Sequence, residues 1–292
     1  MMQWAKKVDN RVVYGNMFIF PVSGKTPSLL LGTKFNRPVP QDKNLLRPRL
    51  IAYLDAGERK RVTLISAPAG FGKTTLAAQW LSARGRLSAW LSLDSYDNDP
   101  ERFLRYVIAS IRTVVPGFGE GIEPFISLST LPPPDYLADA MISALTELPE
   151  PLALVLDDYH VITSAAVQQI LSRMVEYLPD SVGLVVLTRR DPPWKLGGWR
   201  GRQWLTELKV DAIAFNEEET RALLQEYTLT GGSVRMIHKR TEGWITALQI
   251  VLLSLKDADD PEQFVQRFSD SDRMIMDYLM EEVILPLSPD LL

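Results

Sequence analysis

The run Ser66-Ala67-Pro68-Ala69-Gly70-Phe71-Gly72-Lys73-Thr74-Thr75 sets a lysine and two hydroxyls directly behind a pair of glycines. Its order follows the phosphate-binding pattern G-x-x-x-x-G-K-[ST], with Ala67 standing where that pattern has its first glycine. In such a loop successive main-chain N–H groups, helped by the dipole of the following helix, form a concavity for phosphate oxygens. Gly70 and Gly72 allow positive φ and close approach, Lys73 reaches the β and γ phosphates, and Thr74 offers a hydroxyl to Mg²⁺. Ala67 needs no glycine at the strand end if its own φ is negative. Ala67, Pro68, Ala69, Gly70, Phe71, Gly72, Lys73, Thr74 and Thr75 are therefore the expected phosphate-binding residues.

A second chemical element is LALVLDDYH at 152–160, an aliphatic run that ends in two acids. In open α/β sheets the ligand lies beyond the carboxyl ends of the strands. Asp157 is then the expected metal-side carboxylate, and Asp158 the group that orients an attacking water. A third run, LVVLTRRDPP at 184–193, brings Arg189 and Arg190 to the same rim. Arg189 is placed to contact a γ-phosphate, whereas Arg190 reads as a surface cation.

Other suggestive stretches read differently. SGKT at 23–26 has Ile19 where the loop pattern needs glycine, and PGFGEG at 116–121 follows a helix instead of a strand. Both read as loops. Residues 189–204 hold three tryptophans with five cations against one acid. Such interleaving can stack nucleic-acid bases, but tryptophans packing a loop onto the sheet edge is the preferred reading. His160 reads as a hydrogen-bonded residue after the strand, and His238 as a helix-surface residue.

The elements that must position these groups are legible from periodicity. Short β-rich runs over 62–66, 87–91, 152–156, 183–187 and 210–215 alternate with helical patterns over 73–82, 100–114, 136–148 and 165–177. That alternation implies an α/β fold of the P-loop NTPase kind, a five-stranded parallel sheet sandwiched by helices and followed by a small all-helical domain. Asn216 with Glu217, Glu218 and Glu219 caps the first helix of that domain. Further helices are expected over 233–240, 244–255, 261–268 and 271–285. The expected divisions are an extension at 1–32 that is poorly structured, a nucleotide-binding domain at 33–215, a helical domain at 216–270, and the start of an incomplete winged-helix module at 271–292.

Composition bounds the chemistry. With 292 residues, 46% hydrophobic and 23% charged, the chain has the make-up of an ordinary globular protein of about two domains. A net charge of −4 gives no global attraction to nucleic acid or anionic lipid. There is no cysteine, which excludes disulfides and thiol chemistry, and two histidines cannot by themselves complete a zinc site. No apolar run near the start is long enough for a signal segment or a membrane span, so a cytoplasmic location is expected.

The order of these motifs resembles a known family. TKFNRPVPQDKNLLRPRL, WLSLDSYDNDPERFLRYV, LVLDDYH, LTRRDPP, LTELKVDAIAFNEEETRALL, RTEGWITALQIVLLSL and FSDSDRMIMDYLMEEV follow one another from about Thr33 onward. In that order they are similar to the N-terminal nucleotide-binding part of MalT-like transcriptional activators, the large ATP-binding LuxR-family regulators of the STAND class. The resemblance implies an ATP-driven switch: ADP holds a closed monomer, ATP with an inducer permits self-association, and slow hydrolysis resets it. ATP or ADP and Mg²⁺ are the implied cofactors. Arg47 and Pro48 lie where related proteins contact adenine. Gly243 looks like the counterpart of a Gly-x-Pro motif in which Ile245 takes the proline's position. DNA binding is expected only through domains that such regulators carry further on, beyond Leu292. The alternatives weighed are a stand-alone P-loop phosphotransferase and a nucleic-acid-associated ATPase.

Overall fold

The computed structural model describes residues 6–8, 11–14, 17–20, 28–39, 45–128, 130–256 and 258–267. Near the N-terminus four short strands, β1 (Lys6–Val8), β2 (Arg11–Tyr14), β3 (Met17–Phe20) and β4 (Ser28–Leu31), pair antiparallel in chain order. This differs from the loosely held extension that the sequence suggests, because strands of three or four residues are too short to print a period.

Strands with aliphatic residues at successive positions need cover on both faces, and the central sheet has it. It comprises β5 (Val62–Ser66), β6 (Leu87–Ser92), β7 (Leu152–Asp157), β8 (Val182–Thr188) and β9 (Leu205–Lys209), all parallel, in the order β6-β7-β8-β5-β9. Leu152, Leu154 and Leu156 of β7 join one apolar cluster, while Ala153 and Val155 join the other. The strand period of two thus divides a continuous apolar run between two cores.

On one face lie α1 (Pro48–Ala56) and α2 (Lys73–Arg84), whose Leu50, Leu54, Leu76 and Trp80 pack on Ile65, Val155 and Leu187. On the other lie α3 (Pro100–Arg112), the single turn α4 (Glu123–Ile126), α5 (Pro134–Thr146) and α6 (Ala165–Glu176). α3 starts where the Asp99 side chain accepts from the Arg102 N–H at 2.8 Å and Pro100 takes the first helical position. A short helix, α7 (Leu196–Gly201), leads into β9.

The fifth strand departs from the sequence reading. Residues 210–213 form the short helix α8 (Val210–Ile213), and the strand is Leu205–Lys209 just before it. β9 is an edge strand with Glu207 and Lys209 exposed or half-buried, so its polar residues hide it while the more apolar stretch behind it imitates a strand. Past it, α9 (Glu217–Leu223), α10 (Gly231–Thr241), α11 (Ile245–Lys256) and α12 (Pro261–Arg267) gather around Phe215, Ile237, Leu248 and Val251 in a third apolar cluster. Asn216 and Glu219 close a capping box at the start of α9. The helix expected over 271–285 lies outside the described residues.

Candidate nucleotide-binding site

β5 delivers the glycine-bearing loop and α2 receives it. Gly70 and Gly72 have φ of 76° and 75°, and Ala67 is not among the described residues with positive φ. The missing glycine therefore leaves the loop unstrained. Among the described residues, nothing accepts a hydrogen bond from the N–H groups of Gly70, Phe71, Gly72 or Lys73. Unpaired donors clustered ahead of a twelve-residue helix suit an anion.

Lys73 folds back into the loop, its ammonium donating to the Pro68 carbonyl at 2.9 Å. It is 8% exposed, and burial lowers its pKa against the opposing pull of Asp158 and Asp157. The Thr74 hydroxyl donates to Asp157 Oδ2 at 3.0 Å, so the two expected Mg²⁺ ligands already face each other. Burial, and then the Asp158 charge, push the Asp157 carboxyl up to about 6. A cation at this point would relieve both effects. Among the described residues no cluster of three His, Cys, Asp or Glu can hold a metal alone. One carboxylate and one hydroxyl match Mg²⁺ that takes its remaining ligands from phosphate and water.

Strand order explains how distant residues meet. β8 lies between β5 and β7, so the loop, Arg189 and the Asp157–Asp158 pair project from three adjacent strand ends. Asp158 is in the left-handed region at φ 56°, its side chain about half exposed. Arg189 is half-buried, and its charge lowers the pKa of both Lys73 and His160. Burial is the main cause of the His160 shift, to about 4, so the ring is neutral near pH 7. Its Nδ1 is buried 3.8 Å from Asp158 Oδ1 and has no hydrogen-bond partner among the described residues, unlike the hydrogen-bonded role expected of it.

A cavity of about 410 Å³ opens beside the loop, lined by Gly70, Gly72 and Thr75 on one side and by Phe215, Leu223, Ile245 and Gln249 on the other. Arg47 also lines it, but its guanidinium is engaged: it bonds Glu219 at 3.0 Å and the Ala214 carbonyl at 2.9 Å and lies 4.3 Å over the Phe215 ring. Pro48 is exposed in the first turn of α1 and is not among the residues lining the cavity. Residues the motifs did not flag also belong here. The Trp244 indole N–H donates to the Ala69 carbonyl at 3.0 Å, and the Thr246 N–H donates to the Gly70 carbonyl at 3.2 Å. Their only signal was adjacency to Gly243.

The tryptophan-rich segment folds inward. Trp194 and Trp199 are buried with centroids 5.3 Å apart, Arg200 pairs with Glu207 at 2.6 Å, and Lys209 pairs with Asp191. His238, expected on a helix surface, is half-buried with Nδ1 3.1 Å from the Thr220 hydroxyl.

Fold and site together define a P-loop ATPase module. A Walker-type ATPase of Pyrococcus abyssi superposes with a TM-score of 0.50 over 84% of this chain and 77% of its own, at 14% identity, a likeness of fold alone. No protein-family model matches the chain. It is 33% identical over 267 residues, 90% of its length, to the HTH-type transcriptional regulator MalT of Yersinia enterocolitica, and 33% identical over 261 residues to that of Yersinia pestis. The chain carries a MalT-like ATPase region, and it spans 30% and 29% of the lengths of those two relatives. Among the described residues no helix is long and apolar enough to cross a membrane.

Proposed function

We propose that this chain binds Mg-ATP between the β5–α2 loop and the helical cluster, hydrolyses it slowly, and uses the exchange of ATP and ADP as the switch of a MalT-like regulator. The observation that carries the reading is the pairing of Thr74 with Asp157 at 3.0 Å beside a loop in which, among the described residues, nothing accepts from the N–H groups of Gly70, Phe71, Gly72 and Lys73. When bound, Mg²⁺ neutralises phosphate charge and orients the terminal phosphoryl group. Lys73 exchanges the Pro68 carbonyl for phosphate oxygens. Thr74 and Asp157 hold the metal side, Asp158 orients water from its exposed position, and Arg189 meets the γ-phosphate. The base occupies the cavity between Gln79 and Phe215. Self-association in the ATP state, and any action on DNA through other domains, belong to the same proposal.

Lys73→Ala tests the site. Removing its ammonium should weaken ATP binding by at least about tenfold in calorimetry, and unchanged affinity would remove the phosphate site from this loop. Asp158→Ala should bind ATP as tightly as the parent while single-turnover hydrolysis slows by about a hundredfold.

A further inference from the structure

The carbonyl side of the phosphate loop is held by another part of the chain. Gly243 starts a turn into α11 at φ 71°, and the next residues reach across to the loop. The Trp244 indole takes the Ala69 carbonyl, and the Thr246 amide and hydroxyl both take the Gly70 carbonyl, each at 3.2 Å. The contact is close enough that a Cβ on Gly70 would lie 2.3 Å from the Thr246 hydroxyl and 2.7 Å from the Trp244 indole nitrogen. Phe71 packs beside Trp244 with centroids 6.5 Å apart.

A trans peptide is planar, so its carbonyl and the following N–H point in opposite directions. Fixing the Ala69 carbonyl therefore aims the Gly70 N–H away from the turn, and fixing the Gly70 carbonyl aims the Phe71 N–H the same way. Those two N–H groups are among the unpaired donors of the loop. Glycines in the left-handed region have other conformations open to them, so the loop needs an outside restraint to keep the donors convergent.

We propose that Trp244 and Thr246 are positioning residues for the nucleotide phosphates: by holding the Ala69 and Gly70 carbonyls they aim the Gly70 and Phe71 N–H groups, which makes the phosphate grip depend on docking of the 243–246 turn. This rests on the nucleotide-site reading above. It also makes the coupling reciprocal, so that a bound phosphate tail strengthens the docking of the helical cluster.

Trp244→Phe keeps an aromatic ring beside Phe71 and removes the indole donor together with the larger ring, while Thr246→Val removes one of the two donors to Gly70 with little change of shape. The test is titration of ATP and adenosine against the full chain, the parent and each variant side by side, with Lys73→Ala as control. Trp244→Phe should weaken ATP by about tenfold and Thr246→Val by about threefold, both leaving adenosine affinity within about twofold. Equal losses for ATP and adenosine would mark a merely structural role and overturn the proposal, as would unchanged ATP affinity in a control-validated assay. If Trp244→Phe does not fold, the Thr246→Val ratio decides alone. If Lys73→Ala binds ATP like the parent, the site reading itself fails, an outcome distinct from failure of the positioning role.

Discussion

At the scale of single residues, Asp157 is the most consequential group, because a buried carboxylate beside another acid resists ionisation. Its carboxyl rises from 3.8 to about 6, first through burial and then through Asp158. The native metal-free chain thus holds this proton more tightly than the unfolded chain does. Its contribution to stability is complete below about pH 4 and is lost as pH rises through 6. Asp157→Asn removes the strained charge and should stabilise the metal-free protein by up to about 3 kcal/mol at pH 7.5, with a gain that shrinks toward pH 5. Urea unfolding at the two pH values checks this, and a destabilised variant at pH 7.5 would contradict it. The same substitution should abolish the tightening of ATP binding by Mg²⁺. That Asp157 stands at the carboxyl end of a buried strand was legible from an aliphatic run ending in acids. Its contact with Thr74 was not, since it depends on which strands are neighbours.

At the scale of elements, glycine positions show where backbone approach controls the structure. Gly243 has φ 71°, and a Cβ there would lie 2.1 Å from the Phe215 carbonyl oxygen, whose own N–H donates to the Gly243 carbonyl at 2.9 Å. Gly243→Ala should therefore cost at least about 2 kcal/mol, from left-handed strain plus a clash with backbone that cannot rotate away. Among the described residues nothing lies within 4 Å of a Cβ at Gly197, in α7, so Gly197→Ala should be neutral or gain about 0.5 kcal/mol. Equilibrium unfolding of both variants tests the ranking, which equal midpoints would refute. Sequence reading was strongest where burial is two-sided. The stretches 62–66, 152–156 and 183–187 match β5, β7 and β8 within a residue at either end. It missed β9 because an edge strand tolerates Glu207 and Lys209, and it missed α1 because proline and arginine at its start obscure the short apolar period of Leu50 and Leu54. The β6-β7-β8-β5-β9 order was beyond it, because local periodicity says nothing of which strands adjoin.

At the scale of the whole molecule, a charged hub joins the sheet to the helical cluster in addition to the docked 243–246 turn. Glu219 of α9 accepts from Arg47 at 3.0 Å and from Arg49 at 2.9 Å, and it also caps its own helix through the Asn216 N–H at 3.0 Å. Both arginines come from the start of α1 and also grip the Ala214 carbonyl, so three segments meet there. Burial alone would raise the Glu219 pKa, but hydrogen bonds from Arg49 and Arg47 hold it below the usual carboxylate range. Arg47 is only 4% exposed, and removing its partner would leave a guanidinium buried without a counter-charge. Glu219→Ala should therefore cost about 3–5 kcal/mol, and the loss should fall on the seam rather than on either core. Unfolding in urea should then separate into two steps, with protease cleavage appearing first near residues 209–216. Glu219→Gln retains the cap and one acceptor and should lie between parent and alanine variant. Because Arg47 and Phe215 also line the cavity, added Mg-ATP should restore a single transition in the glutamine variant by tying both sides of the seam to one ligand. Two steps that persist unchanged at saturating nucleotide would show that the cavity does not bridge the two parts.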